Sequence, residues 1–252
     1  MKHQMWPACG AVISLLLAGG SPAALAAQPS LSSNVTLASE YVSRGVRQSW
    51  GRPALQSGLD WTAPSGWFAG IWTSTVDKRF AEKAHGEIDL YGGYLRQLDT
   101  GSLSAALYYY RYPGGANLDY GELSLGANWR ALYAKVNLSY TPRFFGIADA
   151  RGSVYIDTGA NLEAGEDWTI NLHAGSGQLA GRGNAVWDWR DAKLGLARKL
   201  GSGWSTALAW TRAWGSSGAY AHYVSAQRGP DGRPLATDAG AGTFVLSVSR
   251  TY

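Results

Sequence analysis

Cysteine is nearly missing from this chain: Cys9 is the single one among 252 residues. It lies ahead of an apolar stretch, Ala11 to Ala18 (AVISLLLA), which follows Lys2 and leads to ALAAQ, where Ala24 and Ala26 form an A-x-A cleavage site. That layout is a secretory signal peptide over residues 1–26, and the apolar stretch falls short of the ~20 residues a spanning helix needs. Cleavage takes the only thiol with it. The remaining chain, 27–252, can hold no disulfide, no cysteine nucleophile and no Cys-ligated metal.

Charge is scarce as well, at 16% of residues. Losing Lys2 leaves 21 basic side chains of the original 22 against 18 acidic ones, a net +3, which is too mild to argue for nucleic acid. His85, His173 and His222 stand far apart in sequence and no D-x-D-x-D loop occurs, so neither a metal site nor another cofactor is expected. After the signal no apolar run nears the ~18 residues of a membrane helix. Any membrane crossing must therefore be made by strands.

What is plentiful suits strands: 12 Trp, 14 Tyr and 33 Gly. Strict alternation of apolar and polar residues recurs in twelve segments, near 33–42, 53–63, 66–76, 86–97, 102–112, 119–129, 131–141, 152–162, 166–176, 188–199, 203–214 and 242–252. Each is close to the ~9–11 residues of a tilted transmembrane strand. In RALYAKVNLSYT, for example, Leu132, Ala134, Val136, Leu138 and Tyr140 share one side and Tyr133, Lys135, Asn137 and Ser139 the other. The connections alternate too. PSG, DTG, RA, AGE and GSG are tight, whereas SRGVRQSWGR, DKRFAEKAHG, PRFFGIADA, SGQLAGRGNAVW and the stretch from Gly215 to Ala241 are long, with PGGANL a short exception. Short turns at one end and longer loops at the other describe an all-β, single antiparallel up-and-down transmembrane β-barrel of about twelve strands, set in the outer membrane of a Gram-negative bacterium.

The last segment, FVLSVSRTY, carries Phe244, Leu246, Val248 and Tyr252 on its apolar side, with Arg250 among them. In a barrel it pairs with the first strand and leaves no open edge. Its final aromatic resembles the C-terminal signature read by the barrel-assembly machinery, which makes that machinery an expected partner through the strand at Tyr252.

SEYVSRGVRQSWGRPALQSGLDW contains Ser39, Tyr41, Arg44, Gly45, Gln48, Pro53, Ala54, Gln56 and Gly58. With GWFAGIWTSTV from Gly66, EIDLYGGY from Glu87, YYYRYPG from Tyr108 and DYGEL from Asp119, it resembles the TorF family of porins, also called Gcw_chp. The resemblance is specific over roughly residues 37–125 and rests on strand layout beyond that. It implies an outer-membrane barrel, with no agreed substrate, and marks Tyr41, Arg44, Gly45, Gln48 and Pro53 as motif and mouth positions.

The polar parity defines a lumen. Glu40, Asp60, Glu87, Asp89, Tyr91, Glu122, Lys135, Asp157 and Lys193 are its expected lining, with Asp191, Asn171 and Lys199 on the same side. A surplus of carboxylates favours cations if the passage is open, and twelve strands leave a narrow one at most. The expected function is passive diffusion of small polar solutes or ions. The alternative is a closed barrel whose charges pair across the lumen and whose basic loops (Arg44, Arg47, Arg52, Lys78, Arg79, Lys83, Arg143, Arg151, Arg182, Arg228 and Arg233) meet outer-membrane lipids, lipopolysaccharide or a partner. Arg44 could instead turn inward toward Asp60 or Glu87. YYYRYPG reads as an interfacial girdle rather than an aromatic track. An outer-membrane hydrolase is the weakest reading, because His173 and Ser176 fall on opposite faces and cannot form a nucleophile and base.

Overall fold

The computed structural model describes residues 28–215 and 217–252, so the signal-peptide reading of residues 1–26 lies outside the described residues. In chain order the strands are β1 (Ser30–Ala38), β2 (Val42–Ser43), β3 (Val46–Arg47), β4 (Ala54–Thr62), β5 (Trp67–Ser74), β6 (Glu87–Leu98), β7 (Gly101–Arg111), β8 (Tyr120–Trp129), β9 (Leu132–Ser139), β10 (Val154–Ala164), β11 (Trp168–Gln178), β12 (Trp189–Gly201), β13 (Trp204–Gly215), β14 (Tyr223–Arg228), β15 (Pro234–Thr237) and β16 (Thr243–Thr251). Twelve of them, all but β2, β3, β14 and β15, form one closed antiparallel barrel in which β1 joins β16 on one side and β4 on the other. Closure pairs every ladder position, so no edge is left.

The alternation of sequence becomes an inverted burial pattern. Leu107, Leu194 and Phe244 point outward and are 55%, 55% and 68% exposed, while Glu87, Asp89 and Glu122 point inward and are 2%, 1% and 0% exposed. A surface of that kind suits hydrocarbon, not water. Its apolar band ends in aromatics: Trp67, Tyr94, Trp129, Trp168 and Trp204 near the short turns, Tyr109, Tyr140 and Trp214 near the long loops.

The first strand needs correction. Alternation runs on to Val42, but the wall strand ends at Ala38, where Ala38 pairs with Ala54. The next partner would be Pro53, which has no N–H to donate to a ladder. The chain leaves the wall there, and Ser39 closes the end by bonding Leu246 through both its backbone N–H and its side-chain oxygen. Pro53 is thus an exposed strand terminator at the rim.

The long loops are not free ends. The first contains a two-residue hairpin, β2–β3, and the last contains β14–β15. Val46 from the first loop packs with Phe80, Phe144, Leu179 and Trp189 in one apolar core over the mouth. Backbone groups lock it: Arg47 N–H donates to the Ala239 carbonyl at 2.9 Å, and the Tyr223 hydroxyl to the Phe80 carbonyl at 2.8 Å.

Candidate functional site

The β2–β3 hairpin turns on Arg44 and Gly45, with φ of 49° and 75°. Two successive left-handed residues make the type I′ turn that suits a two-residue hairpin. Gly45 is required there: a Cβ would lie 2.6 Å from Asp191 Cβ and 2.8 Å from the Arg212 carbonyl oxygen. Arg44 is not a natural choice for that conformation, and a long side chain held in it costs about 1–3 kcal/mol. The guanidinium offsets that cost. It forks onto Glu122, Nη1 to Oε1 at 2.9 Å and Nη2 to Oε2 at 2.5 Å, and its Cζ lies 4.2 Å from the centre of the Tyr155 ring. Burial works against the charge on Arg44, and Glu122 more than restores it, so the guanidinium stays charged. The inward turn anticipated for Arg44 is therefore real, but its acceptor is Glu122 on β8, not Asp60 or Glu87.

Glu40 is the second correction. It does not line a wall strand; it follows β1 and ties the first loop together. Its carboxylate accepts from Arg47 Nε at 2.8 Å, from the Gly51 N–H at 2.6 Å and from the Thr243 hydroxyl at 3.2 Å. Gln48 and Tyr41 belong to the same loop, joined by a 2.9 Å bond from Gln48 N–H to the Tyr41 carbonyl. The buried Tyr41 ring sits 5.4 Å from Trp72, and burial, with Glu87 and Asp89 nearby, pushes its phenol up.

Beneath the hairpin lies a cavity of about 70 Å³, lined among others by Arg44, Tyr108, Lys135, Asp157, His173, Asp191 and Lys193. That is room for several waters among these charged side chains. Antiparallel pairing sets its charges side by side: Asp157 stands opposite Lys135, and His173 opposite Lys193. His173 is gripped from both sides, Nδ1 at 3.0 Å from Asp157 Oδ1 and Nε2 at 2.5 Å from Asp191 Oδ1. An imidazolium there would donate to a carboxylate on each side. Tyr155 adds hydroxyl bonds of 3.2 and 3.0 Å to Asp191.

Toward the short turns the lumen stays polar. Asp60 accepts from the Tyr91 hydroxyl at 2.5 Å, and Asn171 donates to Asn161 at 2.7 Å. Glu87 and Asp89, nearer the long loops, are buried on the lumen face, and among their side-chain oxygens Glu87 Oε2 and both oxygens of Asp89 have no hydrogen-bond partner among the described atoms.

The tyrosine run is the third correction. Tyr109 alone faces outward, while Tyr108, Tyr110 and Tyr112 point into the lumen and its cap. Tyr91, Tyr108, Tyr110 and Tyr120 stack in series at 5.7, 6.1 and 4.4 Å. Strand parity separates Tyr109 from its neighbours, and that signal was present in the sequence. The convergence of His173, Asp191 and Tyr155 depends on the register of β10, β11 and β12, which local spacing does not carry. His173 and Ser176 lie on opposite faces of β11, as alternation requires.

This barrel, with an apolar exterior, a charged interior and one capped mouth, has the architecture of a porin. Over residues 23–252 the chain matches the family described as a bacterial protein of unknown function, Gcw_chp, and it belongs to that family. No curated protein matches it. Among solved structures it is similar to the KdgM porin, at 8% identity and a TM-score of 0.55, covering 88% of this chain and 99% of that one. It is also similar to the NanC porin, at 10% identity and a TM-score of 0.51, covering 88% and 99%, and to a KdgM porin in complex with disordered oligogalacturonate, at 7% and 0.53, covering 88% and 98%. At such identities the likeness is one of fold.

Proposed function

We propose that this protein is an outer-membrane channel for small polar solutes or ions in a Gram-negative bacterium, and that the β2–β3 hairpin is its gate. The observation that carries the reading is the hairpin itself: an inserted loop, held to the wall by the forked Arg44–Glu122 pair and the Trp189 bond to the Arg44 carbonyl, and to the cap by Val46 and the Arg47 N–H, lies over a charged lumen. The fold it shares with KdgM and NanC supports the reading. The short turns would face the periplasm and the long loops the exterior.

Lumen charge speaks to selectivity. The wall strands contribute Asp60, Glu87, Asp89, Glu122, Asp157, Glu163 and Asp191, against Lys135, Lys193, Lys199 and His173. An oligogalacturonate is a polyanion, and this lining disfavours such a solute; cations and neutral polar solutes fit it better. Single-channel conductance in a planar bilayer, under a salt gradient, tests the proposal. Discrete openings with cation preference are expected. Silence in the native protein and in variants with a weakened gate would favour the second reading, a closed barrel that presents its capped loops to a partner.

A further inference from the structure

The barrel sorts its basic residues by type. Every charged side chain on the outward face of the described wall strands is an arginine: Arg96, Arg111, Arg190, Arg198, Arg212 and Arg250. Every lysine of those strands, Lys135, Lys193 and Lys199, is on the inward face. Register fixes the outward assignment, since Arg190 pairs with Trp214, Arg198 with Trp168 and Arg250 with Trp204, all exposed aromatics of the outer surface. No outward acid accompanies them, and among the described residues none of the six joins an ion pair. They lie near the strand ends, where the cost of a charge facing lipid falls toward zero.

Low cost explains why the arginines are tolerated and not why they gather. Four of the six occupy three consecutive strands, β12, β13 and β16. Arg190 and Arg212 lie on one diagonal of the long-loop rim, because Arg190 pairs with Trp214 and Arg212 with Ala192. Diagonal neighbours of this kind are ~7–8 Å apart, within reach of long side chains. Arg212 is also held over the Trp214 ring at 5.4 Å. Two guanidinium forks, side by side and facing lipid, match the bidentate geometry of a phosphate, which a lysine would meet only as a point charge.

We infer that Arg190 and Arg212 clamp the phosphate of an anionic lipid headgroup at the long-loop rim of the β12–β13 wall. The alternative occupant, a second copy of this chain, is disfavoured by charge. Copies related by an axis along the membrane normal would bring the same rim together, arginine against arginine. The inference rests on the reading of the barrel as membrane-embedded.

The test uses the full barrel in a zwitterionic detergent, with phosphatidic acid as probe and phosphatidylcholine of the same chains as control, read by native mass spectrometry. Wild type is expected to retain phosphatidic acid over phosphatidylcholine. The paired variant Arg190→Gln with Arg212→Gln is expected to retain it at least tenfold less well, and Arg111→Gln, a lone rim arginine elsewhere on the wall, to behave as wild type. Equal retention by the paired variant, or equal binding of the two lipids, would overturn the clamp. So would displacement of the lipid by millimolar inorganic phosphate, which would reduce the site to a generic anion site. Heat-modifiable migration of each variant separates the two failures: a barrel that folds in detergent yet ignores phosphatidic acid sinks only the clamp, whereas a chain soluble without detergent sinks the membrane reading itself.

Discussion

Arg44→Ala is the perturbation that bears most directly on the gate. In the native hairpin the guanidinium meets both oxygens of Glu122, with 18% of the Arg44 side chain and 1% of the Glu122 side chain exposed. Truncation leaves that carboxylate buried with its counter-charge gone, which typically costs ~3–5 kcal/mol. Alanine inherits the left-handed backbone, so no strain is relieved in exchange. The contact with the Tyr155 ring goes too, while the 3.1 Å bond from Trp189 Nε1 to the Arg44 carbonyl can persist. At ~1.4 kcal/mol per tenfold, the population with the hairpin displaced should rise roughly 10²- to 4 × 10³-fold. The twelve-stranded ladder is untouched, so the barrel itself should still migrate as folded. In planar bilayers the variant should open far more often than wild type. Arg44→Met combined with Glu122→Gln removes both charges and should recover much of the closed behaviour, since the penalty lies in the orphaned partner rather than in the lost attraction. An unchanged opening frequency in Arg44→Ala, or a paired variant as open as the single one, would refute the latch.

Gly45→Ala should act in the same direction through geometry alone, because its Cβ would meet Asp191 and the Arg212 carbonyl at 2.6 and 2.8 Å; about 1–3 kcal/mol of strain should show as more frequent openings than wild type. His173→Leu leaves Asp157 and Asp191 facing an apolar group, which should lower the thermal midpoint of the barrel and strengthen cation preference in the reversal potential; an unchanged reversal potential would mean that the cavity lies off the ion path. Asp77 tests pH. Burial alone would raise its carboxyl, but hydrogen bonds from the side chain and backbone of Arg79 hold it below the ordinary range. A carboxyl depressed on folding contributes stability that is whole above its unfolded value of about 3.9 and fades as pH falls through the lower folded value. Hydrogen exchange over residues 77–84 should thus be faster in Asp77→Asn than in wild type at neutral pH, by an amount near 0.5 kcal/mol after screening. The two should converge in acid well below pH 4, and a difference that persisted there would assign the effect to something other than this ionisation.

The sequence by itself determined the wall. Side chains alternate strictly along a strand, so Leu107 and Glu122 declared their faces without any knowledge of their neighbours, and the alternation of short and long connections set the strand count and the two ends of the barrel. The same rule placed Tyr108 and Tyr110 inward, although the run had read as a girdle. What only the tertiary structure decided lies where alternation stops carrying information. Ser39 to Val42 keep the strand pattern, yet they leave the wall, because whether a residue stays in a ladder depends on a partner, and Pro53 cannot serve as one. Arg44 and Glu122 are 78 residues apart in sequence, and His173 finds Asp157 and Asp191 across two ladders. Those meetings depend on register, closure and the inward fold of a loop, all of which are settled by the packing of distant segments around a common lumen and leave no trace in the local spacing of residues.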